Sequence, residues 1–482
     1  MNQLTDARFE LLRRRRRGVV APAGSVAVAT PSDSLGIAER RMWKIYQLDP
    51  ESITHNIGLV LTFGPSYSVD DVVASLRLMV RNAAVLGSTI VVDDNGVPRR
   101  SPDRRDGRWV EPGAVWEWGV LPAYDMSAPV SDIAAALGKS PFDLRNEPPM
   151  RARVQATDGG VTVVLVVHHL AVDDTSWPLL LGTLVSGSWA GDPIRTAGAD
   201  SAIAPATVER AVARAQSTWA ADDVRYPLSG ALPDIDAAQS WLSPLDDGPV
   251  ERLTEYVDAE AIAALGEVAR SIGATSNAVL IGVCALSVYA LTGAADHVLL
   301  VPSDNRSPGA NPSEVGYSGN IVPMRFTFDP EAGVADSLRS AAASVYESFE
   351  FATIDYGTIL TALRGAGGRF PVAEIMASVR NAPLRCIPTA GQVTCSSIFT
   401  GVGNYPLTMA FEIANDESVH LEIDYRPDIV EPSLAQRAAQ VTTELVAHIP
   451  QLLDAPVQHS LRTVDSTNPL SAHRRNGATR VS

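Results

Sequence analysis

Cysteine is nearly missing from this chain: Cys284, Cys386 and Cys395 are the only three in 482 residues. An odd count at wide spacing builds neither a disulfide scaffold nor a metal-ligand motif, and it fits a reducing cytoplasm. Lysine is scarcer still, with only Lys44 and Lys139. Arginine carries nearly all the cationic charge, which beside the Ala and Gly richness reads as codon usage. Positive charge is in deficit overall. The formal net charge of −16 argues against duplex nucleic acid as the main partner, since phosphate binding needs a basic face. Long apolar runs are missing too. The longest apolar strand candidate, residues 161–167, falls far short of the ~20 residues a spanning helix needs, so no membrane role is expected. The chain also lacks a Gly-x-Ser-x-Gly elbow and a Gly-rich loop opening a helix, which removes the usual serine nucleophile and nucleotide chemistry.

What is present is globular: 46% hydrophobic and 20% charged residues, enough for one very large core or, better, two domains. Residues 1–30 read as an Arg-rich amphipathic helix (Leu4, Phe9, Leu11 and Leu12 apolar, Arg13 to Arg17 basic) running into a linker. Pro22, Gly24 and Pro31 break the apolar core an export signal would need. From Ser34 the pattern is regular. Ser68-Val69-Asp70-Asp71 is a capping-box-like start, followed at helical spacing by Val72, Val73, Leu76, Met79 and Val80. Residues 85–92 read as a strand, Asn95-Gly96 as a turn, 133–137 as helix, and 151–154 with 161–167 as a hairpin. A loop near 186–204 precedes a second half. There, helices are expected at 207–219, 258–270 and 432–449, with one at 277–291 that is apolar nearly all round and so buried. Strands are expected at 297–302, 321–328, 374–379 and 420–425, and a loose tail at 466–482. Mixed strands and helices in two similar halves imply an α/β (α+β) class with two layered units, 31–190 and 191–465.

The chemistry concentrates in His168-His169-Leu170-Ala171-Val172-Asp173, directly behind the β-branched run 161–167. A buried strand delivers its last residues to a sheet edge, and histidine is the side chain that exchanges protons near neutral pH. Adjacent strand residues face opposite ways, so one His is expected in a pocket and the other in packing. His55, His297, His420, His448, His459 and His473 show no paired ligand spacing, which leaves a His-His-Asp metal site poorly supported. Direct acyl transfer remains, with a His that deprotonates or orients an incoming amine or hydroxyl.

Several stretches, in order along about residues 4–465, together resemble the condensation domains of nonribosomal peptide synthetases. Ala38-Glu39-Arg40-Arg41-Met42-Trp43 resembles the Ala-Gln-x-Arg-Leu/Met-Trp signature. Pro141-Phe142-Asp143-Leu144 with Pro148-Pro149-Met150-Arg151-Ala152 is similar to the segment ahead of the active site, and His168-His169-x-x-x-Asp173 to the His-His-x-x-x-Asp-Gly motif. Val315-Gly316-Tyr317-Ser318-Gly319-Asn320, leading to Pro323-Met324-Arg325, resembles Val-Gly-x-Phe-Val-Asn…Arg. Asp424-Tyr425-Arg426-Pro427-Asp428 resembles the Tyr-Arg/Asn-x-Asp segment, and residues 4–17 the Arg-rich linker before such domains. The resemblance implies two chloramphenicol-acetyltransferase-like subdomains arranged as a V-shaped pseudodimer with a tunnel at their junction. It further implies peptidyl or acyl carrier proteins that feed phosphopantetheine arms inward. His169 is then catalytic, with His168 in support, and Asp173 braces the loop through Arg306 of the second half. Asp174, Ser176, Trp177, Gly316 and Asn320 line the tunnel. No metal and no covalently bound cofactor is implied, and a monomer is expected.

The departures are as informative. Asp174 stands where the motif has Gly; Asp tolerates left-handed backbone, and its carboxylate would narrow the acceptor channel or favour a charged His169. The Arg-His-Glu-x-Leu-Arg motif is reduced to Arg81-Asn82-Ala83-Ala84-Val85-Leu86, and the His-Gln-Asp-Tyr-Pro-Phe motif to Asp355-Tyr356. With no adenylation domain or carrier site recognised, a free-standing condensation enzyme taking carriers in trans is expected, forming an amide in preference to an ester. Two alternatives stand beside it. Ser176-Trp177 points to an epimerisation domain, although no Glu-Gly-His-Gly-Arg-like segment precedes residue 315; the altered motif also fits a docking platform without catalysis.

Overall fold

The structure is a computed structural model that describes residues 33–102, 128–157, 159–190, 204–220, 227–228, 247–304, 315–365, 374–385, 387–389, 391–414 and 416–460. The Arg-rich segment 4–17, Arg306, Cys386 and the tail 466–482 lie outside the described residues.

The N-terminal half supplies α1 (Ile37–Leu48), β1 (Asn56–Phe63), α2 (Val69–Asn82), the hairpin β2 (Ser88–Val92) and β3 (Pro98–Pro102), α3 (Val130–Gly138), β4 (Met150–Thr157), β5 (Gly160–His168) and α4 (Trp177–Ser186). The Ser68 capping box forms, with Asp71 N–H donating to Ser68 Oγ at 3.1 Å and the Asp71 carboxylate receiving Ser68 N–H. The strand expected from 85 begins only at Ser88, because 84–87 close a 3₁₀ turn first. β4 and β5 form the expected antiparallel hairpin. It turns at Gly160 (φ +140°), where a Cβ would come within 2.0 Å of the Phe63 carbonyl oxygen, so only glycine fits.

β5 is central in a four-stranded sheet of order β11-β1-β5-β4, where β11 is Val393–Ile398 from the second half. Period-two alternation explains its continuous apolar run, since both faces are covered. Val161, Val163, Leu165 and Val167 pack with Val72, Leu76 and Met79 of α2 and Leu180 and Leu181 of α4. Val164 and Val166 pack on the other side with Trp43 of α1 and Ile133 and Leu137 of α3.

The second half supplies α5 (Pro205–Ser217), β6 (Gly248–Pro249), β7 (Glu251–Val257), α6 (Ala259–Ser271), α7 (Ser276–Thr292), β8 (Asp296–Asp304), β9 (Gly319–Thr327), α8 (Val334–Phe349), α9 (Tyr356–Gly365), β10 (Ile375–Asn381), β11 (Val393–Ile398), β12 (Val402–Gly403), β13 (Leu407–Ile413), β14 (Val419–Tyr425) and α10 (Pro432–His448). Six strands make a mixed sheet of order β7-β14-β13-β10-β8-β9, in which β10 runs parallel to β8 and β13. The all-apolar α7 is buried as its composition requires, packed with α8 and α10, and Thr442 Oγ1 donates to Ser287 Oγ at 3.0 Å inside that contact. Among the described residues no single helix is long and apolar enough to cross a membrane.

The chain does not divide cleanly near residue 190. β11, far into the second half, crosses back to pair antiparallel with β1, from Gly58 opposite Ile398 to Phe63 opposite Val393. Leu384 and Val393 enter the N-terminal core with it. Gly58 admits the crossing strand: a Cβ there would lie 2.8 Å from Ile398 Cβ. A boundary drawn from chain order therefore misses one strand, because strand pairing is decided by backbone hydrogen bonding across the sheet.

Candidate active site

The two histidines leave the end of β5 in different ways. His168 is the last strand residue, opposite Asn56 of β1. Its ring is buried between Tyr46 (centroids 6.0 Å apart, planes at 89°) and Phe142 (5.9 Å, 87°). The Leu170 N–H donates to its Nδ1 at 3.1 Å, which puts the ring proton on Nε2. Burial holds this imidazole well below its ordinary pKa, and the neighbouring His55, His169 and Arg151 add to the effect. The motif residue Arg151 is itself buried, donating to the carbonyls of Ser140 (2.9 Å) and Pro141 (2.6 Å) and paired with Glu147. His168 is a packed, neutral support.

His169 begins a 3₁₀ turn, 169–171, so its direction comes from the end of the strand and not from pleat alternation alone. Its Nδ1 stands 2.7 Å from the Val172 carbonyl oxygen. A carbonyl only accepts, so Nδ1 carries the proton and the neutral ring keeps its lone pair on Nε2. The neighbouring histidines thus hold opposite tautomers, each fixed by one backbone group. The His169 ring meets Tyr317 edge to face, with centroids 4.8 Å apart and planes at 68°.

Asp173 braces this corner through several bonds. Its Oδ1 accepts from Thr175 Oγ1 (2.8 Å), Ser176 N–H (3.1 Å) and Ser176 Oγ (2.8 Å), and its Oδ2 from Ser318 N–H (3.0 Å). The last bond reaches the second half of the chain, as a brace should; the expected partner Arg306 lies outside the described residues. Asp174 needs no left-handed backbone: among the described residues Glu417 is the one non-glycine with positive φ. Its side chain is exposed, and Asp replaces the motif's Gly without backbone strain.

Four of the five positions assigned to a tunnel have other duties. Trp177 opens α4 and packs in the core with Val172, Leu180 and Leu181. Ser176 is buried in hydrogen bonds to Asp173 and Gly316, and Gly316 serves as its backbone partner. Asn320 has its amide saturated: Nδ2 donates to the carbonyls of Ala352 and Ile354 (both 2.8 Å), and Oδ1 accepts from Tyr356 N–H (2.9 Å) and Arg41 Nη1 (3.3 Å). A buried amide with every valence used is a structural hub. It lies neither in a turn nor free to meet substrate.

The structure also supplies members that the sequence reading passed over. Arg41, on the buried face of α1, pairs with Asp355 and donates to the Gly319 carbonyl at 2.7 Å. This ties the first motif to the faint remnant Asp355-Tyr356. Glu39, where the signature has Gln, accepts Gly36 N–H at 2.7 Å and pairs with buried Arg100. His55 sits just before β1, its carbonyl accepting His169 N–H at 2.8 Å and its ring 6.1 Å from His168. Burial and then the nearby His169 lower its pKa to about 4, against a pull from Asp247. Its place ahead of Asn56 is the one signal of it in the sequence.

The His169 ring, its Nδ1 held by the Val172 carbonyl, sits where loops from both sheet units meet. The comparisons agree with the resemblance seen in the sequence. Residues 34–188 match the family model described as Condensation domain, and the chain has the fold of nonribosomal peptide synthetase condensation domains, the chloramphenicol-acetyltransferase-like pseudodimer. It is similar to the condensation domain of the monacolin K polyketide synthase MokA (TM-score 0.70, 13% identity, 88% of this chain and 98% of that one). It is also similar to the first condensation domain of the calcium-dependent antibiotic synthetase (TM-score 0.63, 19% identity, 89% and 98%). By sequence it resembles phosphinothricin tripeptide synthetase PhsC of Streptomyces viridochromogenes, with 24% identity over 72% of this chain. The chain spans 32% of that protein's length. Condensation domains catalyse the acyl transfer that forms a peptide bond.

Proposed function

We propose that this chain transfers an acyl group from a carrier-protein thioester to an amine acceptor, forming an amide, with carrier proteins supplied in trans and His169 as the proton-handling residue. One observation carries the reading: the Val172 carbonyl holds the Nδ1 proton of His169, so Nε2 is available to a substrate. The acceptor nitrogen attacks the thioester carbonyl carbon and the new C–N bond forms. The tetrahedral intermediate collapses with cleavage of the C–S bond. The proton leaving nitrogen passes to His169 Nε2 and on to the departing thiolate, so the enzyme returns unchanged. The phosphopantetheine arm belongs to the carrier and is substrate here. Ser176-Trp177, the feature that pointed to epimerisation, is consumed by packing and by the Asp173 brace, which favours condensation over that alternative.

The test is incubation with acyl- or aminoacyl-loaded carrier proteins and candidate amines, followed by intact mass and chiral analysis of carrier-bound species. The expected result is a new amide whose rate falls by about 10²–10⁴ in His169→Ala. Inversion without a mass change would replace the reading with epimerisation, and carrier binding without turnover would replace it with docking.

A further inference from the structure

Gly319 is glycine for the sake of a neighbour. It opens β9 opposite Asp304 and is not among the positive-φ glycines, so the backbone alone would accept any residue. A Cβ at 319, however, would lie 2.6 Å from Cε2, 2.9 Å from Cζ and 3.0 Å from the hydroxyl of Tyr317. The motif this stretch resembles has Val at that place. This chain has exchanged a branched side chain for an empty space and filled the space with the Tyr317 ring.

The segment that carries this ring is pinned at two points. Ser318 N–H is bonded to Asp173 Oδ2 (3.0 Å), and the Gly319 carbonyl accepts from Arg41 Nη2 (2.7 Å). Tyr317 is therefore carried on a segment pinned to both the catalytic loop and α1. It is 8% exposed. Tyr405 stands close by: burial first, then Tyr317, pushes its phenol up, while Arg41 draws it down. The ring's edge-to-face approach to His169 at 4.8 Å is thus set by fixed neighbours, and among the described residues the Val172 carbonyl is the one hydrogen-bond partner of the His169 side chain. One hydrogen bond leaves a ring free to rock about that axis; an aromatic wall removes the freedom.

We propose that Tyr317 is a positioning residue for His169 and that Gly319 is its seat, a coupled pair that aims Nε2 at the acceptor. The proposal rests on His169 being the proton-handling group proposed above. It predicts a specific non-additivity. Gly319→Val pushes the ring off His169 and lowers kcat by about 10²-fold, the usual cost of misplacing a catalytic group by an ångström, with acceptor KM little changed. Tyr317→Ala lowers kcat similarly and alters the pH profile of kcat, because the imidazole loses its wall. Tyr317→Phe keeps the ring and stays within about threefold of the parent.

The deciding variant is the double, Gly319→Val with Tyr317→Ala, assayed in the full chain with loaded carrier proteins. Its kcat should equal that of Tyr317→Ala alone, since valine harms only through the ring. Valine that remains equally harmful without the ring, or Tyr317→Ala with unchanged kcat and pH profile, overturns the proposal. Thermal melts of all four variants separate misfolding from mispositioning. The His169 ring protons, followed by NMR, give a readout independent of turnover: their ring-current shift should survive Tyr317→Phe and vanish in Tyr317→Ala. If the shift behaves so while the parent chain condenses no substrate, the seat stands and the catalytic reading fails; if the shift is the same in all variants, the seat fails.

Discussion

Ser176 and Gly316 are 140 residues apart, yet the Ser176 hydroxyl accepts the Gly316 N–H at 3.2 Å and lies 3.0 Å from the Gly316 carbonyl oxygen. One buried hydroxyl addresses both polar groups of a single residue and also reaches the Asp173 carboxylate at 2.8 Å. The loop that carries His169 and the loop that carries Tyr317 are therefore joined by side-chain-to-backbone bonds, which locate the two loops whatever the identity of the side chains around them.

Ser176→Ala leaves the Gly316 N–H without this partner in a buried setting. A loss of roughly 1–3 kcal/mol is expected, read as a lower urea midpoint at unchanged m-value. Ser176→Thr keeps the hydroxyl, and its result separates hydrogen bonding from volume.

His168→Ala removes a buried ring wedged between Tyr46 and Phe142 and the acceptor of the Leu170 N–H. The expected cost is about 2–4 kcal/mol. In calorimetry, His168→Ala should lower Tm clearly, whereas His169→Ala, which leaves the core intact, should lower it little while cutting turnover by about 10²–10⁴.

Arg41 and Asp355 form a buried pair that links α1 to the loop before α9. Removing one partner strands the other charge, so Arg41→Ala should cost about 3–5 kcal/mol. Replacing both, as Arg41→Met with Asp355→Leu, should recover much of the loss. A double mutant no more stable than the single would show that the bonds of Arg41 to Gly319 and Asn320 carry the effect instead.

Stability should fall on acidification. Burial keeps His55 and His297 neutral, each with its pKa lowered to about 4. The unfolded chain, with ordinary histidines near 6.5, therefore binds more protons as pH drops, and stability present above about pH 6.5 is lost progressively toward pH 4. Glu374 works in the opposite sense: burial raises its carboxyl to about 7, so its share is present below about pH 4.5 and lost as pH rises through 7. Glu374→Gln removes the opposing arm, and its urea midpoint should climb more steeply between pH 4.5 and 7 than the parent's. A parallel curve would show that Glu374 does not titrate in that range.

Much of this molecule was legible in its residues because local rules and burial pointed the same way. The Ser68 capping box, the hairpin from Met150 to His168 and the buried helix Ser276–Thr292 all form as read. The two histidines also separate into a packed one and one facing the site. That they part ways follows from strand geometry, which of them packs was implied by the resemblance, and the last half-turn comes from a 3₁₀ bend that no spacing announced.

What only the tertiary structure decided is who meets whom across long stretches of chain. Ser176 and Trp177 follow the motif directly and read as tunnel residues, but one is spent on Gly316 and the other on the core. Asn320 read as a turn or lining residue and proves to be a saturated hub. β11 crosses to β1, and Arg41 reaches Asp355, for reasons that lie in sheet pairing and buried charge. Sequence by itself determined many of the elements and the place of the histidine pair at a strand end, since helix caps, alternation and residue chemistry act within a few positions of the chain. Glycine at 319 carries no local signal at all. Its meaning, a seat for the Tyr317 ring beside His169, exists only once the packed fold brings those three residues together.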